Sequence, residues 1–222
     1  NVFFNRQYGN YYFQLICPDP VLVCPENITV SNTKNMCGAI VTYATPVAAD
    51  NCGIIYVYQI EGLSSGSMYP VGITTNTFGL YNASSGKFTT CSFTVTVNDT
   101  EPPVISEAST SVTSLWPANH NMADVQVLYQ LSDNCMIVDS SIMITSNEPE
   151  NAIGDGDTSP DWQVVNHHLI QLRAERSGAG KGRIYTITIS ATDASGNISS
   201  KTLNVLVPHD VPDKNTSVNI SG

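Results

Sequence analysis

The sequence predicts an all-β chain built of antiparallel sandwiches and divided into two tandem domains near residue 100. Three observations lead there. Apolar residues alternate every second position, and no useful stretch repeats them at the three-and-four spacing of a helix. The alternating runs are short and rich in β-branched residues, and clusters of Gly, Ser, Asn and Asp separate them, as in sandwiches. Asp99-Thr-Glu-Pro-Pro103 follows a strong strand and combines acidic residues with a stiff Pro-Pro pair, which suits a short semi-rigid linker.

Taken in order, residues 1–16 come first, an extra N-terminal strand with Phe4, Tyr8, Tyr12 and Phe13 as the side chains seeking burial. An aromatic strand without a domain of its own needs a partner. It reads as a donor strand for a neighbouring copy, as the last strand of a preceding domain, or as a segment folded back on its own chain. Ile28-Thr-Val30, Ala39-Ile-Val-Thr-Tyr43, Ile54-Ile-Tyr-Val-Tyr58 and Phe93-Thr-Val-Thr-Val97 supply strands of the first domain. Asp50-Asn-Cys-Gly53, Ser64-Ser-Gly66 and Ser84-Ser-Gly86 are its turns. Val125-Gln-Val-Leu-Tyr129, Ile142-Met-Ile144, Ile184-Tyr-Thr-Ile-Thr-Ile189 and Leu203-Asn-Val-Leu-Val207 build the second. There Gly178-Ala-Gly-Lys-Gly182 reads as a hairpin turn joining Leu172-Arg-Ala-Glu175 to Arg183-Ile-Tyr-Thr186. The expected domains are an N-terminal segment at 1–23, sandwiches at 24–99 and 100–210, and a tail at 211–222.

Composition narrows the function. A 222-residue chain that is 41% hydrophobic can build a packed core in each domain. Its 9 Lys and Arg against 19 Asp and Glu give a net charge of −10, which argues against nucleic acid and anionic membrane as partners. No apolar run approaches the roughly 20 residues that span a bilayer, and no basic-then-apolar leader precedes Asn1, so the chain reads as soluble, either mature or excised from something longer. Six cysteines without C-x-x-C spacing, in a chain rich in Ser, Thr and Asn, fit disulfides and an extracellular or cell-surface location. Sequons at Asn27, Asn82, Asn98, Asn197, Asn215 and Asn219 carry little weight here, because so much Asn, Ser and Thr generates several by chance and a bacterial source would leave them bare.

Cys24-Pro-Glu-Asn-Ile-Thr-Val30, Cys37-Gly-Ala-Ile-Val-Thr-Tyr43, Pro46-Val-Ala-Ala-Asp-Asn-Cys-Gly53, Gly62-Leu-Ser-Ser-Gly-Ser-Met-Tyr-Pro-Val-Gly-Ile-Thr-Thr75 and Cys91-Ser-Phe-Thr-Val-Thr-Val97 occur in that order. The stretch resembles an HYR (hyalin repeat) module over about a third of the chain. It departs from the family's D-A-x-G-N turn before the last strand, where Tyr81-Asn-Ala-Ser-Ser-Gly-Lys87 stands instead. The second half resembles a further immunoglobulin-like module of bacterial surface and secreted proteins, through Leu115-Trp-Pro-Ala-Asn-His120, Ser132-Asp-Asn-Cys135, Ser146-Asn-Glu-Pro149 and Asp193-Ala-Ser-Gly-Asn197. Both resemblances imply immunoglobulin-like or fibronectin-like sandwiches that serve as spacers, adhesion elements or stalk units, and neither implies catalysis.

Cys24 enters the first strand of the first module and Cys91 the last, strands that commonly lie side by side, so these two are expected to pair. Cys37 and Cys52 then pair around the second strand, as the resemblance also suggests. Cys17 and Cys135 are left over, and a disulfide between them would lock one subunit to the next or close within one chain. Glu148, Asp155, Asp157, Asp161 and Glu175 gather around a flexible Gly154-Asp-Gly-Asp157 loop of the kind that wraps Ca²⁺. The alternative is a solvated acidic loop balanced by Arg173, Arg176 and Arg183. No cofactor is required by this reading, and calcium is the one the residues suggest. His167 and His168 on a strand would point to opposite faces, and Trp116 and Trp162 read as core before they read as sugar platforms. No nucleophile elbow, H-E-x-x-H or phosphate-binding loop occurs, so no enzyme is expected. The reading is an extracellular structural or adhesive protein of a filament, stalk or array. Neighbouring copies, other surface proteins or glycans would be its partners. A carbohydrate-targeting module and a calcium-dependent adhesin are the rivals.

Overall fold

The computed structural model describes residues 2–7, 10–15, 19–49, 54–150 and 158–210, the first two stretches as backbone alone. Every regular element among them is a β-strand. The chain divides into two compact units, Asn1–Thr100 and Glu101–Gly222, each an immunoglobulin-like sandwich.

In the first unit, β1 (Val2–Gln7) pairs antiparallel with β2 (Asn10–Leu15), with Phe4 opposite Phe13 and Asn5 opposite Tyr12. The extra N-terminal strand is thus two strands that satisfy each other's backbone groups on one edge. Tyr8 lies outside the described residues. Next come β3 (Val21–Val23), β4 (Ile28–Ser31), β5 (Gly38–Val41), β6 (Val47–Ala49), β7 (Ile55–Glu61), β8 (Ser67–Pro70), β9 (Gly72–Asn82) and β10 (Phe88–Asn98). One four-stranded sheet runs β4-β10-β9-β7, with β4 parallel to β10, while β3 pairs β6 and β5 pairs β8.

Strand alternation sets the layers. On β10, Phe93, Val95 and Val97 are buried, while Ser92, Thr94 and Thr96, which alternate with them, are more exposed. The buried set packs with Phe78 of β9 against Ala39 and Val41 of β5 and Tyr69 of β8. Tyr43 meets the rings of Phe78 and Phe93 edge-on, at centroid distances of 6.2 and 4.9 Å. Asn76 is the polar pivot of this core: its Oδ1 accepts from Leu63 N at 2.8 Å and from Gln59 Nε2 at 3.2 Å. Tyr69 donates its hydroxyl to the Leu63 carbonyl, and burial pushes its pKa up to about 12.

In the second unit, β11 (Val104–Thr110), β12 (Met122–Ser132), β14 (Trp162–Asn166) and β15 (Leu169–Arg173) form a sheet in the order β11-β12-β15-β14. A second sheet runs β13-β16-β17, from β13 (Ile137–Ser146), β16 (Gly182–Asp193) and β17 (Ile198–Pro208). Val125, Val127, Ile170 and Leu172 of the first sheet pack against Tyr185, Ile187, Ile189, Val205 and Val207 of the second. Because β15 and β16 belong to different sheets, Gly178–Gly182 is not the expected hairpin turn. It carries the chain from one sheet to the other.

Candidate functional site

The acidic residues of the second unit converge on one side chain. β16 alternates strictly, so Arg183 shares the inward face with Tyr185, Ile187 and Ile189 and is fully buried. A guanidinium taken out of water needs compensating charge. Asp161 supplies it most directly: its Oδ2 accepts from Arg183 Nη1 and both side chains are buried. Glu148 Oε2 lies 3.5 Å from Nε, Glu175 Oε1 lies 3.8 Å from Nη1, and the Pro149 carbonyl accepts from Nη2 at 3.1 Å. Tyr185 sits beneath, its ring centroid 5.7 Å from the guanidinium carbon and its hydroxyl donating to the Arg173 carbonyl at 2.9 Å. Burial pushes the Tyr185 pKa up to about 12.

Three of the five residues expected to hold calcium are among the described ones. Glu148, Asp161 and Glu175 do come together, but the cation between them is Arg183, because β16 turns that residue inward. Asp155 and Asp157 lie outside the described residues. Glu148 is further committed to Ser177 N at 2.7 Å, and Gly180 packs so closely that a Cβ there would stand 2.5 Å from Glu148 Oε1. Arg173 braces the rim, donating to the His120 carbonyl at 2.9 Å and the Pro160 carbonyl at 2.8 Å. The arrangement clamps three loops to the core.

Glu175 is the group held off its ordinary ionisation. Burial raises its pKa first, and a hydrogen bond with the Asp161 carboxylate raises it further, against Thr158 and His120, which lower it. Thr158 Oγ1 donates to Glu175 Oε2 at 2.7 Å, and His120 Nδ1 lies 3.3 Å from the same oxygen. Asp161 Oδ1 and Glu175 Oε1 are buried without a hydrogen-bond partner among the described residues.

Other expected residues fall as follows. Cys24 and Cys91 form a disulfide with a Cα separation of 5.7 Å, joining the entry of β4 to its neighbour β10. Cys37 and Cys135 are each disulfide-bonded; Cys17 and Cys52 lie outside the described residues. His167 and His168 form the turn between β14 and β15 rather than alternate on a strand, and His168 lies against the Tyr129 ring at 4.8 Å. Trp162 packs edge-on against Tyr185 at 6.0 Å, and Trp116 is exposed.

A second feature went unread in the sequence, the outer face of the first unit's four-stranded sheet. Tyr56, Tyr81 and Phe88 are direct cross-strand partners on β7, β9 and β10, about 5 Å apart at each step. Tyr58 and Ile60 follow on β7, and all five are exposed, from 40% at Tyr81 to 56% at Tyr56. Gly79 forms the floor, where a Cβ would stand 2.9 Å from both Ile60 and Phe88. The neighbouring outer positions Thr75, Thr77, Thr90, Ser92, Thr94 and Thr96 are hydroxyl-bearing. Charge is kept to the ends, Glu61 closing β7 and Lys87 pairing with Asp19. The signal was legible in Ile54-Ile-Tyr-Val-Tyr58, which is apolar on both faces of one strand.

Residues 17–97, within the first unit, match the HYR domain family. The protein "Sushi, von Willebrand factor type A, EGF and pentraxin domain-containing protein 1" of Rattus norvegicus is 33% identical over 94 residues, 40% of this chain and 3% of that protein. Hyalin of Strongylocentrotus purpuratus is 28% identical over 192 residues, 83% of this chain and 15% of hyalin. The hyalin alignment covers more of the chain than the first unit holds, so it continues into the second. The chain thus spans a small part of the curated relatives it matches. Among solved structures, titin domains Z1Z2 in complex with telethonin are 16% identical with a TM-score of 0.36, covering 89% of this chain and all of that one, a likeness too weak to carry an argument. The match to the HYR domain family and the disulfides place this chain outside the cell.

Proposed function

We propose that this chain is a structural or adhesive segment of an extracellular filament, stalk or array, and that it meets neighbouring copies through the aromatic outer face of the first unit. The observation that carries this reading is the row Tyr56, Tyr58, Ile60, Tyr81 and Phe88, exposed and uncharged on a chain of net charge −10. Copies of an acidic chain repel wherever carboxylates face each other. A neutral aromatic patch with charge only at its ends is where two copies approach at least cost, and Tyr and Phe are residues that interface centres favour. The N-terminal aromatic strands, with Phe4 and Phe13 opposed, offer a further edge to a neighbour in the manner of strand addition. No catalytic constellation enters this reading.

Beads coated with the full chain test it. Clustering that persists in chelator and weakens with Phe88→Ser supports a calcium-independent contact through this face. Clustering lost in chelator supports the calcium-dependent adhesin instead. Dispersed beads that bind insoluble polysaccharide point to a carbohydrate-targeting module, since the same row could stack on sugar rings.

A further inference from the structure

Four sequons have described asparagines, and the fold treats them in two different ways. Asn82 is fully buried, its Oδ1 accepting from Ser84 N at 2.8 Å and Ser85 N at 2.9 Å in the turn that leaves β9. Asn197 commits its Nδ2, the atom a glycan would occupy, to Asp193 Oδ2 at 2.8 Å. That bond belongs to a tight turn in which hydrogen bonds from the Asn197 side chain and the backbone of Asn197, Ser195 and Gly196 outweigh burial, which pushes the other way, and hold the Asp193 pKa down. Asn27 and Asn98 are both exposed. Asn27 fixes its Oδ1 on Thr94 N at 2.8 Å, a contact that a glycan on the opposite end of the amide leaves intact. Asn98 ends β10 opposite Ser31 of β4.

We infer that Asn27 and Asn98 are N-glycosylation sites of this extracellular chain and that Asn82 and Asn197 are not. In the transfer, Asn Nδ2 forms a bond to the anomeric carbon of a lipid-pyrophosphate-linked oligosaccharide. The carbon–oxygen bond to the pyrophosphate breaks, the lipid pyrophosphate leaves with the electron pair, and Nδ2 gives up one proton. Transfer precedes folding, so the folded state selects among the products. A sugar on Asn82 would have to enter the core, and one on Asn197 would displace Asp193, whereas sugars on Asn27 and Asn98 stand in solvent. Asn98 stands at the opposite end of β10 from Phe88, and Asn27 is held beside Thr94 on the same strand, so the glycans stand along β10 from the aromatic row and leave it uncovered. That last consequence rests on the proposed function; the site assignment does not.

The test is the full chain secreted from cultured animal cells, released from its glycans by amidase in ¹⁸O water and mapped by peptide mass spectrometry. The expected result is ¹⁸O-labelled Asp at positions 27 and 98 and unmodified Asn at 82 and 197. Label at 82 or 197 in folded secreted protein, or none at 27 and 98, overturns the assignment. Asn27→Gln with Asn98→Gln should remove two glycan mass steps. Asn82→Gln should lower Tm without removing a mass step, and a lost mass step there would equally overturn the proposal. Bead clustering unchanged by glycan removal, with the map as expected, separates this assignment from the assembly reading.

Discussion

Asp161 and Glu175 are both fully buried carboxyl groups within reach of Arg183, yet they should respond oppositely to losing their charge. Asp161 is the direct acceptor of Arg183 Nη1, and Asp161→Asn leaves a buried guanidinium short of its counter-charge, at a cost of about 3–5 kcal/mol. Glu175 is held toward its protonated form by burial and by Asp161. Glu175→Gln supplies a permanent donor in the same place, so its change in stability should stay within about 1 kcal/mol. The pH dependence follows the sign of the shift. A carboxyl whose folded pKa is raised contributes stability fully present below its ordinary 4.5 and lost as pH rises through the folded value. Wild type therefore gives up stability over that window while Glu175→Gln does not, a comparison that urea unfolding across the acid range can make. The tyrosines act at the other end of the scale. Tyr69 and Tyr185 rise from 10.0 to about 12, so their contribution is complete below pH 10 and is lost between there and pH 12. Tyr185→Phe should unfold with a shallower alkaline decline than wild type; an identical decline would contradict the assignment.

At the scale of elements, alternation was the legible signal, and it worked wherever a strand has one dry face. Phe93-Thr-Val-Thr-Val97 announces β10, and Ile184-Tyr-Thr-Ile-Thr-Ile189 announces β16. The same parity rule, extended one step back from Tyr185, places Arg183 inside, and with it the reason three acids gather there. The alternative reading already set Arg183 against these acids, and parity adds that this arginine is buried among three of them. The short strands β3, β6 and β8 were not legible, since three or four residues are too few to show a period. The destination of Gly178–Gly182 was not legible either, because a glycine-rich turn looks the same whether it closes a hairpin or crosses between sheets. Cys24 and Cys91 were readable from their place at the first and last strands. Their disulfide closes a 67-residue separation, and on loop entropy it contributes about 4 kcal/mol. Replacing both by Ala should lower the free energy of unfolding of the first unit by that order, measured by denaturant titration against the intact chain. A loss below about 1 kcal/mol would mean that β4 and β10 are held by packing alone.

For the whole molecule, an excess of ten negative charges and one uncharged aromatic face act in opposite directions. Charge keeps copies apart and its effect fades with salt, while burial of Tyr and Phe draws copies together and does not. Self-association through this face should therefore strengthen between low and physiological salt. Sedimentation velocity over a rising concentration series at about 0.15 M salt, the ionic strength at which screening reaches roughly 8 Å, tests the central claim most directly. The account predicts that the wild-type chain sediments faster as concentration rises, whereas a Tyr58→Ser, Phe88→Ser variant with unchanged Tm stays monomeric. A wild-type chain that remains monomeric throughout, or a variant that associates as strongly as wild type, would contradict it.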